Sequence, residues 1–292
     1  MDLAGLVARI RAAFPDLAFE RAELNDLGED HAVVVLDGAW VFRFPRSEAA
    51  LGYGAGEREL LRVLSAATDV AVPRYERVTP GGDFAGYRMI AGRELSEDLF
   101  ASLAPAAQDR VMDSLGAFLA ALHALPTELA PTRAGVVKHA VAGDYGRRWR
   151  ARRARYEGTL PAALIARADR FFERLPAATA GAPAVLTHRD LTEDHILLAP
   201  EGDRLGGIID FTDADAGDPA FDFTFLWAYG EAAARRAADA YGGDTAAMLA
   251  RSRWWFARYR IDQLWWTLNG DRPYDTAKIV AELPGVFDAL GV

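Results

Sequence analysis

The second half of this chain reads as helix except for one short island. Residues 184–210 are rich in β-branched and aliphatic side chains and carry a turn at Glu201-Gly202-Asp203. Segments with apolar residues at helical spacing flank it. One is 106–125, where Val111, Leu115, Phe118, Leu119 and Leu122 form a stripe that ends at Pro126. Others cover roughly 142–156, 161–174, 219–240 and 246–268. The first ninety residues have a different character. Leu3, Leu6, Val7, Ile10 and Phe14 share a helical face closed by Pro15. His31 to Leu36 and Ala39 to Phe44 then read as strands around an Asp37-Gly38 hairpin turn. Period-two alternation places Trp40, Phe42 and Phe44 on one face and Val41 and Arg43 on the other. A helix around Gly56 to Leu64 carries Leu60, Leu61 and Leu64, and Val70 to Val78 and Gly86 to Ile90 read as further strands. The character changes after Ala91-Gly92. The pattern specifies an α+β chain with a small β-rich lobe at 1–90, a connector at about 89–92, and a larger helical lobe at 91–292 with a hairpin embedded in it. Two lobes with a cleft between them are a common way to enclose a ligand.

Composition narrows the function. The chain of 292 residues has 33 Lys plus Arg against 42 Asp plus Glu, a formal charge of −9. That balance argues against a nucleic-acid partner and favours a cationic or metal-bound one. Cysteine is absent, which excludes thiol catalysis, disulfide frameworks and zinc–thiolate sites. No apolar run approaches 18 residues and the N-terminus lacks a signal-like cleavage site. The expectation is a cytoplasmic monomer with no membrane partner. The basic residues are almost all arginine: lysine occurs only at Lys138 and Lys278. No lysine exists in the first 137 residues to serve any role there.

The island carries the chemistry. It reads Leu186-Thr187-His188-Arg189-Asp190-Leu191-Thr192-Glu193-Asp194-His195, and after the turn Gly207-Ile208-Ile209-Asp210-Phe211-Thr212-Asp213. The order resembles the kinase set of H-R-D, a metal ligand five residues on, and a strand delivering D-F-G. Here the ligand position is His195 and the third motif is D-F-T. Phosphoryl transfer asks mainly for charge management. Asp190 is suited to orient an attacking hydroxyl and accept its proton. Asp210 and His195, at facing ends of a hairpin, are suited to hold Mg²⁺ against a triphosphate, although imidazole is softer than the usual oxygen ligand. Singly, each match has a plainer reading: H-R-D arises by chance, and His188 can be a core histidine with its hydrogen bonds satisfied.

Taken together the motifs resemble the aminoglycoside phosphotransferase family, small-molecule kinases with a protein-kinase-like two-lobe fold. The resemblance spans most of the chain. It rests also on Asp37-Gly38-Ala39-Trp40-Val41-Phe42-Arg43-Phe44-Pro45-Arg46, on Gly86 to Leu95, on Leu115 to Pro126, and on Gly217-Asp218-Pro219-Ala220-Phe221-Asp222. His195 and the F-R-F-P-R strand look most like the 2''-aminoglycoside branch, and the related macrolide kinases share both.

The resemblance implies further roles. Arg43 stands where kinases place the lysine that holds the α/β-phosphates, and Glu57 matches its helix partner, with Glu59 as a rival. An arginine fork can bridge two phosphate oxygens where lysine is a point charge. The Gly28-Glu29-Asp30-His31 turn would cover the phosphates without a G-x-G-x-x-G pattern. Met89 to Gly92 would be the hinge, with Met89 and Ala91 reading the base of ATP or GTP. Gly52-Tyr53-Gly54-Ala55-Gly56 lacks the context of a dinucleotide fingerprint and reads as a flexible loop. Asp218, Asp222 and Arg189 would brace the catalytic loop. Asp213, Glu231 and Trp265 would contact the acceptor, and six arginines between Arg147 and Arg155 would face away from it. The implied activity moves the γ-phosphate of ATP or GTP, with Mg²⁺, to a hydroxyl of a small cationic acceptor, an aminoglycoside. The alternatives are the same chemistry on a macrolide or metabolite alcohol, or a nucleotide-binding pseudokinase that acts as an interaction module.

Overall fold

The computed structural model describes residues 2–26, 28, 30–131 and 142–292. Lys138 and Glu29 of the expected phosphate-covering turn lie outside the described residues. The chain opens with helix α1 (Leu3–Ala13), whose N-terminus is closed by the Asp2 carboxylate accepting from the Gly5 N–H at 2.9 Å. Strands β1 (Ala22–Asn25), β2 (His31–Leu36) and β3 (Trp40–Pro45) follow, then helix α2 (Glu48–Leu64) and strands β4 (Tyr75–Val78) and β5 (Ala85–Arg88). The strands form one antiparallel sheet in the order β1-β2-β3-β5-β4. The alternation in β3 is realised. Trp40, Phe42 and Phe44 pack with Leu6, Ile10, Phe14 and Phe84 into a separate small core beneath α1. Phe44 and Phe84 stack with centroids 4.5 Å apart. The opposite face presents Val41 and Arg43.

Two local expectations fail here. Residues 52–56 are not a loop: they lie inside α2, which begins eight residues earlier than the apolar stripe indicated. Ser47 caps the helix by accepting from the Ala50 N–H at 3.1 Å. Tertiary contact overrides the weak helix propensity of glycine: Tyr53 and Glu57 are buried, and at Gly56 a Cβ would lie 2.8 Å from Pro131 Cα. The segment 70–78 is strand only from Tyr75. Ahead of it, Ala71 makes an isolated parallel bridge with Gly207, its carbonyl accepting from the Ile208 N–H at 2.9 Å. This bond ties the α2–β4 connection to the strand that leads to Asp210.

Beyond the hinge come β6 (Arg93–Glu94), α3 (Glu97–Ser102), α4 (Pro105–His123), α5 (Ala142–Arg152) and α6 (Ala162–Ala178). The island then supplies β7 (Val185–Thr187), β8 (Ile196–Leu198), β9 (Leu205–Ile208) and β10 (Asp215–Gly217). Three helices complete the lobe: α7 (Glu231–Tyr241), α8 (Ala246–Asn269) and α9 (Thr276–Ala289). β8 and β9 form the expected hairpin, β6 pairs with the outer side of β8, and β7 pairs with β10. The continuous helix expected over 219–240 is broken. Short 3₁₀ turns at Pro219–Phe221 and Phe225–Tyr229 precede α7, and Gly230 at φ 104 makes the break. The large core gathers Phe118, Phe171, Phe211, Phe223, Trp254 and Phe287 from these elements. Among the described residues no helix is long and apolar enough to cross a membrane.

Candidate active site

β7 delivers His188-Arg189-Asp190 into the cleft, and the end of β9 delivers Asp210. The loop between them is held by buried polar contacts. Asp222 is almost fully enclosed. Its carboxylate accepts from the N–H groups of His188 at 2.7 Å and Arg189 at 2.8 Å, and contacts His123 at 3.0 Å. Burial opposes its charge, and these bonds outweigh it and hold its carboxyl below the usual range. His188 is a core histidine: its Nε2–H donates to the Ile209 carbonyl at 3.0 Å and its Nδ1 accepts from the Asp190 N–H at 3.3 Å. Its own burial lowers its pKa, so the ring stays neutral. Asp218 caps the Pro219 turn and pairs with Arg251 at 2.8 Å. Arg189 and Asp210 both adopt positive φ, 68° and 60°. For non-glycine residues this is strained backbone, and such strain concentrates at functional loops.

Asp190, His195 and Asp210 converge. His195 Nδ1 lies 2.6 Å from the Asp190 carbonyl, which can only accept, so the proton sits on Nδ1. The other nitrogen, Nε2, then faces Asp210 Oδ2 at 3.9 Å. The opposite oxygen, Asp210 Oδ1, accepts from Arg43 Nη2 at 2.9 Å and from the Thr212 hydroxyl at 2.7 Å. A ring nitrogen and a carboxylate oxygen therefore face each other, each oriented by hydrogen bonds on its far side, as metal-binding side chains commonly are. Among the described residues no group of three His, Asp or Glu side chains forms a metal cage by itself. Asp210 offers the hard carboxylate oxygen that Mg²⁺ takes together with phosphate oxygens, and His195 Nε2 adds one softer donor facing it, so the residues present can hold the ion. Burial opposes the charge on Asp210, yet Arg43 and then His195 and Thr212 hold its carboxyl well below the usual range. It is an anion at neutral pH. His195 is also buried, but the carboxylates of Asp190 and Asp210 raise its pKa.

Asp190 behaves oppositely. Burial, reinforced by the charges of Asp213, Asp210 and Asp194 against the pull of His195, pushes its carboxyl up to about 6. Its side chain is nonetheless 45% exposed to the cleft. A carboxylate poised there can accept a hydroxyl proton. Asp213, half-buried three residues after Asp210, adds to the negative field. Arg272, from the α8–α9 connection, forks onto Asp194 at the loop's outer end, with Nη2 2.6 Å from Oδ1.

Arg43 spans the cleft from above. Its Nη1 donates to Glu57 at 2.7 Å and Tyr75 at 3.3 Å, and its Nη2 reaches Asp210, Thr212 and His31. The rival Glu59 points outward to Arg62. At the hinge, the Met89 N–H is taken by the Ala39 carbonyl at 2.9 Å. A base edge would have to be read by the other backbone groups of 89–91. Met89 and Ala91 also line a cavity of about 720 Å³ with Ala71, Arg74, Pro200 and Arg204, away from Asp190.

The remaining acceptor candidates lie on the helical wall. Glu231 is exposed and held by Arg235 at 2.6 Å and Arg253 at 2.5 Å. Trp265 is half-buried with the Arg152 guanidinium 4.1 Å from its ring centre. The arginine-rich stretch thus divides: Arg147, Arg150 and Arg155 are exposed, Arg153 pairs with Asp169 on α6, and Arg152 turns inward onto α8. Nothing local in the sequence marks the Asp194–Arg272 pair or the contacts of Thr212 with Asp210 and Arg43. The substitution of threonine for glycine in the third motif was the one available signal.

Residues 20–255 match the model of the phosphotransferase enzyme family. No curated protein sequence matches the chain. The solved structure of an aminoglycoside 2''-phosphotransferase of type IIIa with GDP and kanamycin superposes with a TM-score of 0.77 at 26% identity, covering 98% of this chain and 97% of that one. A GDP complex of the wild-type aminoglycoside 2'-phosphotransferase-IIIa gives 0.77 at 24% identity over 99% and 98%. The macrolide 2'-phosphotransferase MphH of Brachybacterium faecium gives 0.64 at 24% over 96% and 98%. The last two likenesses show the fold alone. With the family match over most of its length and a kinase-like pair of lobes around Asp190, His195 and Asp210, the chain belongs to the phosphotransferase enzyme family.

Proposed function

We propose that this protein transfers the γ-phosphate of ATP or GTP to a hydroxyl of an aminoglycoside. The observation that carries the reading is the convergence of Asp190, His195 and Asp210 in one cleft, with the Asp213 carboxylate close enough to act on Asp190. Asp190 orients the hydroxyl and takes its proton. His195 Nε2 and Asp210 Oδ2 would hold Mg²⁺, which when bound neutralises charge on the transferring phosphoryl group. Arg43 supplies the cation that kinases draw from lysine, and Glu57 fixes its near end. The hinge segment from Met89 to Ala91 reads the base. Asp213 is the main carboxylate for an acceptor ammonium, with Glu231 and Trp265 as outer contacts. The kanamycin bound by the 26%-identical neighbour supports the acceptor class.

The test is nucleotide consumption with ATP and with GTP against aminoglycosides, macrolides and simple amino alcohols. Acceptor-dependent turnover with aminoglycosides is expected. Turnover only with macrolides or simple alcohols would overturn the acceptor assignment and leave the chemistry standing. Nucleotide binding with no turnover on any acceptor would favour the pseudokinase reading.

A further inference from the structure

Thr212 occupies the position of the glycine in D-F-G, and it is buried, 5% exposed. Its hydroxyl donates to Asp210 Oδ1 at 2.7 Å and accepts from Arg43 Nη2. Its N–H also points to Oδ1, at 3.3 Å. Together with Arg43 Nη2, three donors therefore gather on one oxygen of Asp210. The other oxygen is left facing His195 Nε2. The second departure from the kinase pattern sits on the same contact. A lysine would present one nitrogen at this place, whereas the arginine fork presents two. Nη1 is used by Glu57 and Tyr75; Nη2 lies among Asp210, Thr212 and His31. A glycine at 212 would remove the hydroxyl from the Nη2 end.

We infer that Thr212 is a positioning residue and that Arg43 and Thr212 form a matched pair, the threonine hydroxyl fixing both the Nη2 end of the guanidinium and the rotation of the Asp210 carboxylate toward His195. The arginine at 43 and the threonine at 212 are then one change to the nucleotide and metal site, 169 residues apart in sequence. The inference rests on the phosphotransferase reading for what the site holds, and on the geometry for how it is held.

The test is a double-mutant cycle read without turnover. Mn²⁺ binding is followed by electron paramagnetic resonance in the presence of ADP or GDP, with no acceptor, and thermal unfolding of each variant reports its fold. Thr212→Val keeps the shape and removes the hydroxyl; Thr212→Ser keeps the hydroxyl. Loss of one charge-assisted hydrogen bond weakens Mn²⁺–nucleotide binding about 10-fold in Thr212→Val, and Thr212→Ser stays within about 2-fold of wild type. In the Arg43→Lys background the same Thr212→Val change costs about 3-fold or less, because the partner it serves is gone. Thr212→Ala, which also lacks the hydroxyl, carries the same expectations where the valine variant does not fold. Equal effects of valine and serine at 212, or the same factor in both backgrounds, would overturn the pairing. A wild-type protein that binds no Mn²⁺–nucleotide would instead overturn the phosphotransferase reading itself.

Discussion

Arg43 joins a compositional oddity to a site. The first 137 residues contain no lysine, and the only cation reaching Glu57 and Asp210 together among the described contacts is this arginine. Arg43→Ala leaves Glu57 enclosed without its partner, and truncating a buried charge pair costs about 2–5 kcal/mol. We expect nucleotide affinity to fall by about 100-fold in calorimetric titration, with Arg43→Lys retaining much of it. The brace at Asp222 gives a stability prediction. Its carboxyl is held below the unfolded value of about 3.9, so it stabilises the fold fully above that value and loses the contribution as pH falls toward its folded pKa. Asp222→Asn should lower stability by about 3 kcal/mol at pH 7. The gap to wild type in denaturant unfolding should stay constant down to about pH 4.5 and narrow below it; a gap unchanged at pH 3 would contradict the assignment.

At the scale of elements, the β3 alternation and the β8–β9 hairpin were legible because each follows from local pattern and turn chemistry. The Asp37-Gly38 turn and the Glu201-Gly202-Asp203 turn sit where those residues put them. What escaped the sequence depends on distant partners. Gly54 and Gly56 argue locally for a loop, and the helix forms because its buried face meets Pro131 and Arg43 from elsewhere in the chain. The strands β1 and β10 and helices α3 and α9 are short or weakly patterned, and become defined by what they pack on. The α4–α7 contact shows the same dependence. A Cβ on Gly116 would stand 2.1 Å from the Ala237 carbonyl oxygen, a backbone atom that cannot rotate aside. Gly116→Ala should therefore separate these helices and destabilise the protein by about 2 kcal/mol, read as a melting temperature lowered by roughly 3–5 °C.

At the scale of the molecule, the two lobes share packing as well as named bonds: Leu60, Leu61 and Leu64 of α2 sit in the large core with Phe118 and Phe211. Arg43 reaches from β3 to Asp210, and the Ala71 carbonyl holds Ile208 of β9. That Asp190, His195 and Asp210 lie together was readable from the order of the motifs and the hairpin between them; the roles proposed for them follow from which residue types phosphoryl transfer can use. The surroundings of the proposed acceptor contacts were less readable. Glu231 is taken up by two arginines and Arg152 lies over Trp265, arrangements set by helix packing that no local pattern encodes. The proposed role of Asp190 is to orient the acceptor hydroxyl and take its proton. It is tested most directly by comparing wild type with Asp190→Asn in two assays: mass spectrometry of an aminoglycoside incubated with Mg²⁺ and ATP or GTP, and nucleotide affinity measured separately. Wild type should yield a phosphorylated acceptor, and the variant a rate about 10²–10⁴-fold lower with nucleotide affinity within about 2-fold of wild type. Phosphorylation at the wild-type rate by Asp190→Asn would contradict it.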